Sequence, residues 1–460
     1  MTNEQIATLL RSGEIDFLRY AWTDNGNMIR AKALFLPAFL AYYQDAGAEE
    51  LLDALAKAVT VTAAMMSVPA TQDVPAPRAG LAPVEDIRLV PAWDSLVRTA
   101  VPPRSATVIC ELAEGDKPWE LCPRSFLRRM LARLEEHDLA LHIGLELEFY
   151  LLHPAPAAGE APEPVDRASY AHSLAALTSG EVILEMVRSL WEQGIPVEQY
   201  VPEGGQGQQE ITLEHCAPLL LADRLVHARE TIHGVALRQK LAASFLPVVF
   251  EGGAGSGLHT HMSLWRGGRN FSAQEGEPYG LTPQTNGFMA GILAHLPALM
   301  AVTTPTRNSF RRIRPHAWSG AYQAWGIANK EAALRLIPGS RSGKPANGEL
   351  KTMDATANPY LALGVMVAAG LDGIRRDLRL PQPADIDPAD YSGAQRAQLG
   401  IEALPAAPER ALRAFLQDAV LQEAMGERMA AVYTAVRQAE LESLADLTFA
   451  EERDLLLQRY

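Results

Sequence analysis

The sequence predicts an α+β protein in two unequal parts. Three observations predict it: a turn-centred pair of β-favouring runs near the N-terminus, later segments in which apolar and polar residues alternate strictly, and long amphipathic stretches between and after them. Residues 16–33 read DFLRYAWTDNGNMIRAKA. The Asp-Asn-Gly-Asn turn between two β-type runs is a hairpin signature rather than a helical one. A helix is expected over residues 44–66, after which Pro69, Pro75, Pro77, Pro83, Pro91, Pro102 and Pro103 divide the chain into short extended pieces. The first part therefore closes between residues 100 and 120, and the division adopted is 1–110 and 111–460. Pro123 opens SFLRRMLARLEEHDL, whose Phe126, Leu127, Met130, Leu131 and Leu134 share one helical face. The Pro/Ala-rich stretches 153–164 and 381–389 read as surface loops and the last fifty residues as helices, with no internal repeat.

With 460 residues, 48% hydrophobic and 21% charged, the chain can bury a large core, which excludes a disordered or fibrous protein. Its net charge of −14 repels phosphate backbones and anionic lipid, so neither nucleic acid nor a membrane is an expected partner. Cys110, Cys122 and Cys216 are too few and too dispersed for a zinc cluster or a disulfide framework. The N-terminus carries charge where a signal peptide needs an apolar core, and no stretch approaches the roughly 18 uninterrupted apolar residues of a membrane span. A cytoplasmic location is expected.

The chemistry lies in the alternating segments. In LHIGLELEFY, Leu141, Ile143, Leu145, Leu147 and Phe149 face one way, while Glu146 and Glu148 share the other face. In GLHTHMSLW, His259, His261 and Ser263 alternate with Leu258, Thr260 and Met262. Glu210 and Glu214 oppose Ile211 and Leu213 in QQEITLE, and Glu349 and Lys351 flank Leu350 in GELKTM. Any one such pair is what a solvated antiparallel face shows. Four together imply clustered carboxylates, which repel one another unless a cation lies between them. Several Glu oxygens with an occasional imidazole suit a hard ion, Mg²⁺ or Mn²⁺, better than Zn²⁺. The glycine runs at 203–210 and 252–257 each abut a polar-faced strand and could bring backbone N–H groups to an anion, or be ordinary loops. The run GSRSGKP imitates a phosphate-binding P-loop but has the wrong spacing and Pro345 where Ser or Thr is needed.

In chain order, AWTDNGN, GLELEFY, VEQYVPEGGQGQQE, GSGLHTHMS, NSFRRIRP, ALR, GELK and NPYLALG resemble the glutamine synthetase family. The resemblance implies a small N-terminal β-grasp domain and a large catalytic domain whose curved antiparallel strands form half of a funnel-shaped site. It implies a double-ringed homo-oligomer, commonly a dodecamer of two hexameric rings, in which the N-terminal domain of one subunit completes its neighbour's site. Position by position, Glu148, Glu203 and Glu210 match the ligands of one divalent ion, and Glu146, His259 and Glu349 those of a second. Arg335 matches a phosphate-binding Arg, and His261, Ser263 and Lys330 match nucleotide contacts. Arg312, with Gly255 and Lys351, matches the glutamate site. The implied reaction is phosphorylation of the γ-carboxylate of L-glutamate by ATP, followed by displacement of phosphate by an amine.

Several positions depart from the ammonia-using enzymes. Where those carry a Glu that takes the proton from bound ammonium, this sequence has Trp318. An indole offers an apolar π-face and no strong proton acceptor, which suits an alkylated amine. The context WSGAYQAWG resembles the branch that joins glutamate to organic amines, with γ-glutamylmethylamide synthetases ahead of polyamine and aniline ligases. The alternatives are a glutamine synthetase using ammonia and a non-catalytic oligomeric scaffold of the same fold. Asp24, in the AWTDNGN turn, matches an Asp that helps bind ammonium across the subunit interface and is the remaining carboxylate for binding or deprotonating the amine, so it joins Arg312 and Arg335 as a catalytic candidate, although a turn Asp more often only shapes its turn. Lys351 and Lys330 stand where Arg is usual, and Ala254 and Asn347 replace an Asn and a further Arg. The segment around Tyr391 does not match the family's adenylylation site.

Overall fold

A computed structural model gives the fold, described for residues 1–460 except 85, 156–159 and 340–344 and the side chains of 345 and 346. The middle of the 153–164 loop and most of the GSRSGKP run therefore lie outside the described residues. The first part opens with α1 (Asn3–Arg11) and the expected hairpin, β1 (Phe17–Thr23) and β2 (Ile29–Phe35), paired from Phe17 against Phe35 to Thr23 against Ile29. Two helices follow, α2 (Leu36–Leu40) and α3 (Ala48–Lys57), then β3 (Thr60–Thr62), β4 (Asp86–Pro91), β5 (Val97–Thr99), β6 (Ser105–Glu114) and β7 (Lys117–Pro118). They form one sheet of order β2-β1-β6-β4-β3, with β5 and β7 also on β6 and β1 parallel to β6.

The helix expected over 44–66 is shorter than its composition indicated. It ends at Lys57, because Val59-Thr60-Val61-Thr62 is β-branched and pairs with β4, Thr60 opposite Arg88, before a 3₁₀ turn over Ala63–Ser67. Strand β6 runs through residue 110, so the first sheet extends to Pro118 and the larger part begins at α4 (Pro123–Glu135).

The second sheet has ten strands: β8 (Ala140–His153), β9 (Glu163–Pro164), β10 (Val197–Pro202), β11 (Gln208–Cys216), β12 (Ala242–Ser244), β13 (Leu258–Arg266), β14 (Arg269–Asn270), β16 (Trp325–Ile327), β17 (Leu334–Pro338) and β18 (Pro345–Leu350). The strand β15 (Tyr322–Gln323) pairs instead with β19 (Glu402–Ala403). The order β10-β11-β8-β13-β18-β17-β16 is antiparallel except for the parallel edge pair β16–β17, and the sheet curls into a half-barrel. Packed behind and beside it are α5 (Ser173–Glu192), α6 (Pro218–Arg238), α7 (Pro283–Thr303), α8 (Arg307–Arg312) and α9 (Pro359–Arg375). The C-terminal helices are α10 (Gly393–Leu399), α11 (Pro408–Gln417), α12 (Ala419–Met425), α13 (Glu427–Leu444) and α14 (Phe449–Leu457).

Proline starts α4, α6, α7, α9 and α11, where its missing N–H would have no intrahelical partner in any case. Among the described residues α7 is the one helix long and apolar enough to cross a membrane, with mean hydropathy 1.3, but 89% of that window is buried inside the fold. It is a core helix. Its contact with α9 is set by glycine: a Cβ on Gly291 would lie 2.1 Å from the Ala369 carbonyl oxygen, and one on Gly373 2.0 Å from that of Gly287. Gly291→Ala should therefore destabilise the protein by about 1–3 kcal/mol through overpacking against backbone that cannot swing away. Denaturant unfolding with an unchanged midpoint would show that the two helices do not rely on this approach.

Candidate active site

The half-barrel lines up the polar faces that the alternation predicted. Antiparallel register sets Glu210 directly opposite Glu148 and His259 directly opposite Glu146, while both His261 and Arg335 oppose Glu349 from the two strands flanking it. Behind them Leu145, Leu147, Ile211, Leu213 and Leu258 are buried in the core. His259 Nδ1 lies 2.9 Å from Glu146 Oε2 and 3.6 Å from Glu349 Oε1, and its Nε2 lies 3.6 Å from Glu148 Oε1. Glu146, His259 and Glu349 each offer a ligand atom within 4.8 Å of the others'. Glu203, from the loop after β10, lines the same cavity of about 620 Å³ as these and as Glu148 and Glu210. All six predicted metal ligands are thus together.

Electrostatics shows what the cluster lacks. Burial, then Glu148 and Glu146, pushes Glu203 up to about 7. Burial, then Glu146, Glu148 and Glu203, pushes Glu210 up to about 9. Burial also works against ionised Glu146, but hydrogen bonds from His259 and His261 outweigh it and hold that carboxyl well below the usual range. Glu349 is held low against its burial by Lys351, His259, His261 and Arg335. Lys351 Nζ is 3.2 Å from Glu349 Oε1, and Arg335 contacts the other oxygen. Two carboxyls driven to keep their protons beside a third and a fourth form a donor set that a hard divalent cation would satisfy.

Basic groups line the same cavity. Arg312, 4% exposed, lines the cavity, but its Nη atoms donate to the backbone carbonyls of Lys351, at 3.2 Å, Met353, at 3.0 Å, and Thr352. A Cβ on Gly255 would stand 2.2 Å from Arg312 Cγ, so only glycine admits the arginine here. Arg335, Lys330 and Lys351 line the same cavity. Trp318 stands at the mouth, 53% exposed, with φ of 54°. Its N–H donates to the Glu331 carboxylate at 3.1–3.2 Å, its ring meets Tyr170 edge-on at 6.3 Å, and Lys330 Nζ sits 5.9 Å from its centroid.

His261 and Ser263 are not in that cavity but in an adjoining one of about 360 Å³, which shares Glu146 and Gln199 with it. His261 bridges Glu146 Oε1 and Asn347 Oδ1, each at 3.0 Å. Trp265 stacks on His142 at 4.0 Å, giving this second cavity an aromatic wall. Lys330 and Arg335, grouped with them by the sequence, lie in the first cavity.

Asp24 lies in neither cavity of its own chain. It is fully buried, with Oδ1 accepting from Met28 N at 2.9 Å and Oδ2 from Arg30 at 2.5 Å, and Asn358 Nδ2 donates to its carbonyl at 2.9 Å. Within the chain it shapes the hairpin turn. The sequence reading missed Gln208, Tyr170 and Glu331. Gln208 Nε2 donates to Glu148 Oε2 at 3.2 Å, and its place two residues before Glu210 on the same strand face was a usable signal. Tyr170 and Glu331 sit in connections with no periodicity to mark them.

A curled antiparallel half-barrel carrying five carboxylates and an imidazole in one cavity with basic groups, with an aromatic-sided cavity alongside, defines a metal-dependent enzyme acting on anionic substrates. The chain belongs to the glutamine synthetase family: the family's catalytic-domain model matches residues 120–455. It is 36% identical over 369 residues to a gamma-glutamylpolyamine synthetase of Streptomyces coelicolor, covering 79% of each protein. To a glutamine synthetase of Thermotoga maritima it is 35% identical over 351 residues, 76% of this chain and 78% of the other. Among solved structures, a GmaS/ADP complex is similar with a TM-score of 0.82 and 28% identity, covering 98% of this chain and 99% of that one. The protein is an ATP-dependent ligase of the glutamine synthetase type; enzymes of the family use ATP with divalent metal ions, bind glutamate and an amine, and are oligomeric.

Glu148→Ala and Glu210→Ala should each cut turnover by more than the roughly 100-fold typical of losing a residue that merely orients a ligand. Both variants should stay folded, since each removes a repelling carboxylate, and Mn²⁺ should raise the melting temperature of the parent more than theirs. Retained activity would show that these strand faces do not hold the ion.

Proposed function

We propose that the protein joins the γ-carboxylate of L-glutamate to a small alkylamine, methylamine first, with ATP converted to ADP and phosphate. A γ-carboxylate oxygen attacks the terminal phosphorus of ATP and ADP leaves; the amine nitrogen then attacks the acyl carbon, phosphate leaves, and the nitrogen loses a proton. Mg²⁺ or Mn²⁺ held by Glu148, Glu203 and Glu210 and by Glu146, His259 and Glu349 would neutralise the transferring phosphoryl group. Arg335 and Lys351 add fixed positive charge in the same cavity, which favours the developing phosphate. Arg312 with Gly255 shapes the glutamate site, and His261 and Ser263 face the nucleotide, with Lys330 at the mouth between glutamate and amine.

The observation that carries the amine assignment is Trp318 at the cavity mouth. Its ring already receives an alkylammonium, that of Lys330, at 5.9 Å. A second alkylammonium, or the carbon of a neutral amine, meets the same apolar π-surface and the edge of Tyr170. Each buried CH₂ is worth about 0.8 kcal/mol, about fourfold in binding. A polyamine is the second reading, supported by the 36% identity to the Streptomyces coelicolor enzyme and by Asp387 and Asp390, which face the mouth residue His316 at 2.8 and 3.9 Å. Assembly as a dodecamer of two hexameric rings is part of the proposal, with the N-terminal domain of one subunit completing its neighbour's site. So is a cytoplasmic location, supported by three free cysteines.

Phosphate release measured with glutamate, ATP and Mg²⁺ or Mn²⁺ across ammonia, methylamine, ethylamine, putrescine and aniline should favour an alkylamine. Preference for ammonia would make the protein a glutamine synthetase, and no turnover with any amine by assembled protein would leave a scaffold. Trp318→Glu should weaken the alkylamine selectively and move preference toward ammonia; an unchanged amine profile would take Trp318 out of the amine site.

A further inference from the structure

A third cavity, of about 460 Å³, opens between the N-terminal sheet, α6 and the chain's last residues, and none of its lining residues belongs to the two cavities above. Met28, Ile29, Val101, Leu237 and Leu457 give it apolar walls. The charged side chains lining it are Arg19, Arg229 and Arg459 against Glu230, a cationic concentration in a chain of net charge −14.

Two of these arginines have partners. Arg19 holds Glu230 through two contacts of 2.8 and 3.1 Å. Arg459 reaches the exposed Asp73 at 3.3 Å, although its Nε is buried and unsatisfied. Arg229 has none. It is 3% exposed, its Nε is buried without a partner, and among the described residues no hydrogen bond or ion pair reaches its guanidinium. Its Cζ lies 5.4 Å from the Phe245 ring centroid, a contact that satisfies no N–H. His233, one turn further along α6, adds no second positive charge, since burial and Arg229 push it down to about 4 and leave it neutral.

A guanidinium has five N–H donors and keeps its charge, so burying it unpaired is among the costlier arrangements a fold can hold. A charged group in that state at the wall of a cavity is completed by an anion, and a planar fork suits a carboxylate or a phosphate equally. A cavity of this size lies within the range of small-molecule sites. We propose that this cavity binds a small amphipathic anion, its carboxylate or phosphate head on Arg229 and its apolar body against Met28, Ile29, Val101 and Leu457.

The test is titration calorimetry on the full-length protein with benzoate, phenyl phosphate and inorganic phosphate, run in the parent and in Arg335→Gln, which weakens anion binding in the first cavity. At least one anion per chain should bind in the parent and one should remain in Arg335→Gln, with benzoate or phenyl phosphate the tighter probe according to the head preferred. Arg229→Met should weaken it by roughly tenfold or more, and Arg229→Lys by less, because the charge survives without the fork. Should Arg229→Met fail to fold, Arg459→Gln must show a smaller loss in the same direction. Binding that survives Arg229→Met, or that disappears only with Arg335→Gln, overturns the proposal. If no probe binds the parent while Arg229→Met reduces the mass of the assembly, the counter-ion is a carboxylate of a second copy of the chain, and the small-anion site is likewise refuted.

Discussion

The mutual repulsion of carboxylates on one sheet face is the constraint on which the rest of the structure depends. Glu146, Glu148, Glu210 and Glu349 are brought together by strand pairing, and pairing with a period of two leaves no freedom to spread them. A slip of one residue would turn the whole set outward, but it would also expose Leu145, Leu147, Ile211 and Leu213, all of them buried. The apolar back of the sheet thus enforces the crowded front. The core supplies the free energy that keeps the acids close, and Glu210, together with Glu203 from the loop after β10, answers by holding on to its proton rather than by moving apart.

Relief comes unevenly. Glu146 and Glu349 are matched by imidazoles, an ammonium and a guanidinium, and both stay ionised against their burial. Glu203 and Glu210 have no comparable neighbour and are the pair most in need of an external charge. The basic groups serve the other half of the chemistry. Arg312 cannot be regarded as a free clamp, since its terminal nitrogens are tied to the carbonyls of residues 351–353. It joins the end of β18 to the cavity wall and presents a fixed positive field rather than an open fork.

Much of this was legible before any coordinates, and the reason is local. Alternation in LHIGLELEFY and GLHTHMSLW reports which side chains share a face, whatever the strands pair with, and the Asp-Asn-Gly-Asn turn and the helix-opening prolines are equally self-contained. The failures are non-local. Nothing in residues 44–66 says that Thr60–Thr62 will find β4, which is distant in sequence, and helical composition on the N-terminal side outweighed four β-branched or near-β residues. That Lys330 and Arg335 would share one cavity while His261 and Ser263 line another is set by the assembled sheet: Lys330 lies in the connection between β16 and β17 and Arg335 on β17, whereas His261 and Ser263 lie farther along β13 than His259. Asp24 reads in sequence either as a turn former or as an acid of a neighbour's site, and its burial within its own chain is fixed by Arg30, Met28 and Asn358, the last of them more than three hundred residues away.

Trp318 illustrates how a single replacement can be accommodated without disturbing the metal cluster. Its backbone is left-handed, an unfavourable conformation for an aromatic residue. What holds it is Glu331, whose two oxygens both lie within hydrogen-bond range of the Trp318 N–H. Burial raises the Glu331 carboxyl and that same N–H lowers it, so the acid is drawn to the backbone of the mouth and not to the solvent. A carboxylate therefore still stands beside position 318, contributed by the connection between β16 and β17, while the side chain at 318 is released to form an apolar rim with Tyr170. The negative charge and the substrate-facing surface, which a glutamate at 318 would combine in one residue, are here divided between two, and that division lets the mouth be apolar without leaving the turn beneath it unsupported.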